Sequence, residues 1–331
     1  MVNVAFELGN QVNEELEYSE NLDSIKYDSL LIMGMGGSGV AADVYRLLSN
    51  EISSKNVMVR KTYSIPEKLI SKKPFCLFIS YSGNTEETIS GINDAISNEL
   101  DWAVISSGGK LISYAEKHKK PYIKIPKGLQ PRVAFGYLTQ AVCKYIDLVE
   151  NTNYLDEIKS AGEYLNNILE EKENAEIYIN SKELAKKINK KTCVIYGGTP
   201  LTELVSGRWK TQINENAKSK AYVGSMPEVH HNEILSWDAD PASSKNDYVL
   251  IFLRDPEEHP QIKKRFELTE KLLGDKVDIY NIETQTSDSL LKKLMELVLF
   301  GDLFSIFLSD ELGMIPEDIE GIENLKEMLG E

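Results

Sequence analysis

Residues 75–91 read FCLFISYSGNTEETISG, and this stretch decides the fold. Its first part, Phe75 to Ile79, is a continuous apolar run with no polar residue to mark a solvent face, which is typical of a buried parallel strand. Hydroxyl, amide and glycine residues then crowd into one turn, and Glu86 and Glu87 follow as first-turn residues of a helix. The helix is predicted to bury one apolar stripe at spacings of three and four, formed by Ile89, Ile92, Ile96 and Leu100.

The turn between this strand and this helix is a candidate anion site. It places backbone N–H groups, the positive end of the helix dipole and several O–H donors around one point, which suits a phosphate group. The alternative is that serine and threonine only cap an ordinary helix, because both are common caps. The run Ser80 to Thr88, SYSGNTEET, holds more hydroxyls than capping needs.

Strand and helix signals alternate along most of the chain, which predicts parallel sheets flanked by helices, with ligands beyond the carboxyl ends of the strands. Two such series predict a first domain at 1–150, a helical connector at 151–190 and a second domain at 191–331. Residues 6–22 are predicted to form an amphipathic lead-in helix. The predicted strands are Ser29–Met33, Val57–Arg60, Phe75–Ile79, Trp102–Ser106, Tyr122–Ile125, Thr192–Tyr196, Lys220–Val223, Tyr248–Leu253 and Val277–Ile282.

Composition narrows the functional classes. A net charge of −15 argues against nucleic acid as a partner and requires that an anion be bound by local donors. Three cysteines in apolar segments indicate reduced, buried thiols of a cytoplasmic protein, and four histidines without metal-site spacing argue against a metal centre. Residues 1–21 lack the apolar core of a signal peptide, and charged residues interrupt the apolar segment 290–308, so that segment is predicted to be a core helix and not a membrane span.

The glycine loop from Gly34 to Gly39, GMGGSG, formally fits a dinucleotide-binding fingerprint after a strand. Arg60 and Lys61 stand where an acid would hold the ribose of NAD. A second phosphate-type loop would also be redundant for one dinucleotide, whereas both loops together could frame one sugar phosphate. The dinucleotide alternative is therefore the weaker one.

Five further residues are candidates for catalysis. Arg132 precedes a predicted helix and could stabilise a developing negative oxygen. Glu215 lies near the end of a predicted helix and could act as a general base. The pair His230-His231 lies in a loop, where an unperturbed imidazole can exchange protons near neutral pH, and Lys326 lies on a terminal amphipathic helix. For each of them an ordinary solvated side chain is the alternative.

The order and spacing of these motifs resemble those of archaeal-type bifunctional phosphoglucose/phosphomannose isomerases over nearly the whole chain. The motifs are GMGGSG, SYSGNTEET, PRVAFGY, INENAK, HHNE and a terminal helix with Leu325-Lys326. The resemblance implies an α/β fold of two doubly wound SIS domains, each a parallel sheet flanked by helices. It also implies a homodimer in which the active site lies between the halves and takes a histidine from the neighbouring subunit.

The same resemblance implies a role for each motif. A hexose 6-phosphate would be held by Gly36, Gly37, Ser38, Ser80, Ser82 and Thr85. Arg132 would steady the enediolate, Glu215 would be the base and His231 would come from the partner subunit, since in the family the catalytic histidine directly precedes Asn-Glu. Lys326 would assist ring opening.

The implied activity is the reversible isomerisation of glucose 6-phosphate and mannose 6-phosphate to fructose 6-phosphate, which serves glycolysis and gluconeogenesis. It proceeds by ring opening and proton transfer through a cis-enediolate, and it needs a base, a cation for the oxyanion and an acid at the ring oxygen, with no cofactor and no metal. The chain departs from the family at residues 315–318, Ile-Pro-Glu-Asp, where the family has Pro-Thr-Pro. The resemblance therefore does not fix the balance between the glucose and mannose substrates.

Two other functions remain open at this point. One is a SIS-type sugar-phosphate regulator without catalysis, although such regulators usually carry a DNA-binding segment and this acidic chain shows none. The other is the isomerising half of an amidotransferase, which would need a glutaminase domain with an N-terminal cysteine nucleophile. The first cysteine here is Cys76.

Overall fold

The computed structural model describes residues 1–52 and 55–329, and the chain divides into two compact units. One unit is Glu7–Glu163, and the other is Met1–Phe6 together with the chain from Tyr164 onwards. The strands are β1 (Glu17–Tyr18), β2 (Ser29–Met33), β3 (Asn56–Arg60), β4 (Phe75–Ser80), β5 (Trp102–Ser106), β6 (Tyr122–Lys124), β7 (Thr192–Gly197), β8 (Ala221–Ser225), β9 (Tyr248–Arg254) and β10 (Asp278–Glu283).

The helices alternate with these strands. They are α1 (Val2–Phe6), α2 (Leu8–Gln11), α3 (Gly36–Ile52), α4 (Glu67–Ile70), α5 (Glu86–Ser97), α6 (Gly109–His118), α7 (Phe135–Glu150), α8 (Tyr154–Ile168), α9 (Glu176–Ile188), α10 (Pro200–Asn216), α11 (Pro241–Asp247), α12 (Pro260–Leu273), α13 (Leu290–Glu311) and α14 (Glu320–Leu329). Every strand predicted from the sequence is confirmed within one or two residues, and so is the α/β class with parallel strands flanked by helices.

The sheet of the unit Glu7–Glu163 has the strand order β1-β6-β5-β4-β2-β3. Strands β2 to β6 run parallel, and β1 pairs antiparallel with β6 at one edge. All six residues of the central strand β4 are buried, as its unbroken apolar run predicted. On α5, Ile92 is buried, while Ile89 and Ile96 pack against the same core. Leu100 is buried in this core too, although α5 ends before it.

The predicted lead-in helix over residues 6–22 is wrong. The structure has the short helices α1 and α2 there, followed by β1. Glu17 and Tyr18 pair with Lys124 and Ile123, so sheet hydrogen bonds to residues about a hundred positions away replace the local helix. A two-residue strand is too short to give an alternating pattern, and the sequence therefore carried no signal for it.

The sheet of the unit that includes Tyr164 onwards has the order β10-β9-β7-β8, and its strands are all parallel. Helix α13 is buried along most of its length and packs against α9 and α10. It contains the segment 290–308, which was predicted to be a core helix, and that prediction is confirmed. Among the described residues, no helix is long and apolar enough to cross a membrane. The domain bounds 1–150, 151–190 and 191–331 stay a prediction.

Candidate functional site

Each sheet has one point where the chain connections reverse direction. In the unit Glu7–Glu163, β2 and β4 are neighbours, but the chain leaves β2 towards β3 on one side and leaves β4 towards β5 on the other. Ligands of open α/β sheets bind at such a point, outside the carboxyl ends of the two strands. The two loops singled out in the sequence, at Gly34–Gly39 and at Ser80–Thr85, directly follow these two strands.

Hydrogen bonds and close backbone contacts bring the two loops together. The backbone N–H of Tyr81 donates to the Ser38 hydroxyl oxygen at 2.9 Å, and both Ser38 and Ser80 are buried. A Cβ atom added to Gly37 would lie 2.8 Å from the carbonyl oxygen of Pro131, so only glycine lets the loop approach the turn that carries Arg132. The structure thus collects the glycine loop, the serine loop and the arginine turn at one place.

The serine loop is ordered by its own hydroxyls. The Ser80 and Thr85 hydroxyl oxygens lie 2.8 Å apart, and the Gly83 N–H donates to the Ser80 oxygen at 3.1 Å. Gly83 has a φ of +71°, and a Cβ atom there would collide with the carbonyl oxygen of Gly108. Thr85 is the N-cap residue of α5 but makes no side-chain cap, because its hydroxyl faces Ser80 instead. The first turn of α5 therefore keeps the donors that an anion needs.

Two residues that the sequence analysis missed anchor this site. The Tyr81 hydroxyl accepts a hydrogen bond from the Leu129 N–H at 3.0 Å and so ties the serine loop to the chain leading into the Arg132 turn. Gln11 donates to the carbonyl oxygen of Val133 at 2.8 Å and accepts from the Gly136 N–H at 2.9 Å. Arg132 lies between these anchors and is buried. No local sequence signal marks Tyr81 or Gln11, because their partners are far away in the sequence.

Glu215 lies in the last turn of α10, as the sequence predicted, and its side chain is half-buried. A buried polar seam holds this helix against α13. Both guanidinium-to-carboxylate contacts between Arg208 and Asp302 are 2.8 to 2.9 Å, and Gln212 donates to the same carboxylate at 2.6 Å. Asn216 donates to the Ser305 hydroxyl at 2.9 Å. The seam fixes the rotation of α10 about its axis and hence the direction in which Glu215 leaves the helix.

The two neighbouring histidines have different surroundings. His230 is held by α12: its Nε2 lies 2.7 Å from the Thr269 hydroxyl, and Arg265 donates to its Nδ1 at 3.0 Å. Burial, the Arg265 guanidinium and His231 lower the pKa of His230, which favours the neutral ring. His231 is exposed. Of the two, His231 is the one whose ring nitrogens are not taken up by α12, and it is the better placed for proton exchange with a ligand.

Lys326 lies on α14, and all residues of this helix are exposed. Within the described part of the chain, Lys326 makes no hydrogen bond or ion pair with another predicted site residue. Glu215, His231 and Lys326 lie at three positions of the same unit, namely the end of α10, the turn after β8 and the last helix.

The second sheet has the same reversal between β7 and β9, but a carboxylate occupies it. Asp255 follows β9 and accepts hydrogen bonds from the Thr199 hydroxyl, at the start of α10, and from the buried Lys293 at 2.9 Å. Its negative charge therefore lies at the amino end of a helix, where a phosphate would otherwise bind. The reversal point between β2 and β4 is thus the better candidate for a phosphate, because its loops present hydroxyls and amides.

Comparison with known proteins agrees with this architecture. The SIS domain family model matches residues 25–123, and the model described as the bacterial phospho-glucose isomerase C-terminal SIS domain matches residues 179–329. The structure of a hypothetical protein from Thermus thermophilus superposes with a TM-score of 0.75 over 99% of this chain and 89% of that chain, at 14% identity, which shows a shared fold. The protein is therefore built from two SIS domains.

Similar sequences identify the family to which the chain belongs. The bifunctional phosphoglucose/phosphomannose isomerase of Aquifex aeolicus is 34% identical over 93% of this chain and 92% of its own length. The enzyme of the same name from Thermoplasma acidophilum is 34% identical over 95% of this chain and 98% of its own length. The chain belongs to the family of bifunctional phosphoglucose/phosphomannose isomerases.

Proposed function

We propose that the protein interconverts glucose 6-phosphate, mannose 6-phosphate and fructose 6-phosphate. The observation that carries this proposal is the set of hydroxyl and N–H groups after β2 and β4: Ser38 accepts from the serine loop, and the Ser80 and Thr85 hydroxyls lie together at the start of α5. Membership in the isomerase family supports the choice of reaction. In a protein of net charge −15, these local donors are what can hold a dianionic phosphate against the overall field.

Each predicted site residue takes one role in the proposed reaction. The loops at Gly36–Ser38 and Ser80–Thr85 hold the 6-phosphate. Lys326 and the partner's histidine move protons at the ring oxygen and so open the ring. Glu215 then takes the proton from C2 and returns it to C1, and Arg132 stabilises the negative charge that builds up on the enediolate oxygens.

We also propose that the protein is a cytoplasmic homodimer in which His231 acts on the substrate of the neighbouring subunit. His231 lies on the turn after β8, and large apolar side chains of this strand and of the following turn are exposed. The exposed fractions are 53% for Tyr222, 42% for Val223 and 72% for Leu235. Exposed apolar side chains on an edge strand and in the turn next to an exposed histidine suit burial against a second copy of the chain.

A coupled assay tests the activity. Fructose 6-phosphate is incubated with the protein and excess chelator, and glucose 6-phosphate and mannose 6-phosphate are measured separately. We expect turnover to both products that does not depend on the chelator. Binding of the hexose phosphate without turnover would instead support the sugar-phosphate regulator.

Replacing Thr85 with valine is expected to weaken substrate binding selectively. The change keeps the shape of the side chain but removes one hydroxyl from the phosphate loop, so KM should rise about tenfold, as expected for a lost hydrogen bond to a charged group. The value of kcat should change little, because the phosphate does not react and is held equally in the ground and transition states. Steady-state kinetics with fructose 6-phosphate measure both constants.

Ser113→Ala is the matched control for this change, because it removes an exposed hydroxyl that bonds within α6 of the same unit. Its KM should equal that of the wild type. Equal KM values for Thr85→Val and the wild type would mean that the serine loop does not hold the phosphate.

Mixing two inactive variants tests the shared site. His231→Ala and Glu215→Gln subunits are each expected to be inactive, whereas a heterodimer pairs one intact base with one intact histidine at one of its two sites. We expect up to about half of the wild-type activity per heterodimer from this one-in-two count of complete sites. Subunits carrying different affinity tags allow the heterodimer to be isolated and assayed, and an inactive heterodimer would refute the shared site.

A further inference from the structure

Lys218 follows the end of α10 and has an unusual backbone for a lysine. Its φ is +51°, a left-handed conformation that glycine normally supplies just after a helix. Lys119, just after α6, has a similar φ of +52°. We therefore ask which contacts the terminal ammonium group of Lys218 makes from this strained backbone position.

The ammonium group of Lys218 joins two separate parts of the chain. It donates to the carbonyl oxygens of Glu215 at 2.9 Å and Asn216 at 3.5 Å, at the end of α10. It also donates to the carbonyl oxygens of Ile315 at 2.6 Å and Pro316 at 3.2 Å. A cation here offsets the negative end of the α10 dipole and holds the turn that leads towards α14.

Other hydrogen bonds hold the same helix end from different sides. The Asn214 side chain donates to the carbonyl oxygen of Ser219 at 2.7 Å, and the Asn216 side chain donates to the Ser305 hydroxyl at 2.9 Å. The backbone around Glu215 is therefore held from several sides, and Lys218 links it to residues 315–316.

We propose that Lys218 is a positioning residue for the isomerisation. Its ammonium group fixes the last turn of α10 against the Ile315–Pro316 turn and thereby sets the place of the Glu215 carboxylate. The inference rests on the proposed function, in which Glu215 is the base. Lys218 itself exchanges no proton with the substrate.

The chemical step explains what loss of this link would do. The C2–H bond of the open-chain aldose breaks, its proton passes to the Glu215 carboxylate, and its electron pair forms the C1–C2 double bond as the π pair of the C1 carbonyl moves onto O1. The proton on Glu215 then returns to C1 with the electron pair of the C1–C2 double bond, while the hydroxyl proton of O2 passes to O1 and its O–H electron pair forms the carbonyl at C2. Displacement of the base by a fraction of an ångström slows both transfers but leaves the phosphate site unchanged.

Three replacements of Lys218 separate this role from a general effect on folding. Lys218→Met removes the charge and keeps most of the side chain, Lys218→Arg keeps the cation, and Lys218→Gly removes the ammonium while relieving the left-handed backbone. Lys119→Met is the matched control, because Lys119 has the same backbone conformation just after α6 and is exposed. All four variants and the wild type are assayed with glucose 6-phosphate carrying hydrogen or deuterium at C2.

For Lys218→Met and Lys218→Gly we expect kcat to fall at least about tenfold while KM stays within about twofold. The deuterium isotope effect on kcat should rise, because proton transfer becomes more strongly rate-limiting. Lys218→Gly should melt no lower than the wild type, and Lys218→Arg should recover most of the activity. Lys119→Met should match the wild type in every measurement.

The outcomes distinguish failure of the proposed function from failure of the role of Lys218. A wild-type protein that binds the sugar phosphate without turning it over refutes the proposed function, and with it the role of Lys218. An active wild type refutes the role of Lys218 alone if the Lys218→Met and Lys218→Gly variants keep the wild-type isotope effect. The role of Lys218 is also refuted if the kcat values of these variants fall only in proportion to the folded fraction.

Discussion

Replacing Glu215 with glutamine is expected to abolish isomerisation while leaving the hexose phosphate bound. Glutamine has the same shape but cannot accept the C2 proton, so kcat should fall by about three orders of magnitude, within the range that a general base contributes. The side chain is half-buried in the last turn of α10, and the seam from Arg208 to Asp302 holds this helix independently of it. The fold and the phosphate site should therefore remain intact.

Two measurements check this prediction together. The coupled assay gives kcat, and the rise in melting temperature with fructose 6-phosphate shows whether binding is kept. Glu311→Gln is the matched control, since Glu311 is an exposed glutamate in the last turn of α13 in the same unit. Wild-type turnover by Glu215→Gln would remove this residue from the mechanism, whatever the control does.

The parts of the fold that the sequence predicts well are those buried on both faces. Strand β4 is apolar without a break because helices cover both sides of a parallel sheet, so its composition alone marks it. Edge elements lack this constraint. Strand β1 is held by two backbone pairs to β6, and its exposed residues Glu17 and Tyr18 carry no pattern that distinguishes a strand from a helix.

The parts of the candidate site also differ in how well the sequence predicts them. The serine loop was predictable because its hydroxyls, its glycine and its following helix are contiguous in the sequence and form one anion site. The anchor residues Tyr81 and Gln11 were not predictable, because their hydrogen-bond partners come near them only in the folded chain. Lys218 is the last residue of the INENAK motif, but the motif predicted no role for it, because that role depends on carbonyl oxygens at 315–316 and backbone atoms have no sequence signature.

Replacing Asp302 with leucine is expected to destabilise the protein strongly. The Arg208 side chain is 2% exposed, and the change would remove the carboxylate whose two oxygens accept hydrogen bonds from its Nη2, while leaving the cation buried. Breaking a buried ion pair from one side costs roughly 3–5 kcal/mol of the free energy of unfolding. Denaturant unfolding followed by tryptophan fluorescence measures this loss. Asp288→Leu, which breaks an exposed ion pair to Lys292, should change the free energy of unfolding little.

The double variant Arg208→Met, Asp302→Leu shows what the buried pair is for. Apolar side chains of similar volume often restore the stability of a buried ion pair, so the free energy of unfolding should recover most of the loss, less about 1–3 kcal/mol for the buried Gln212 amide that loses its acceptor. Directional hydrogen bonds allow one rotation of α10 against α13, whereas apolar packing tolerates several. We therefore expect the double variant to be stable but slower in kcat, because Glu215 leaves the same helix about two turns later. Wild-type kcat in a stable double variant would show that the pair contributes stability alone.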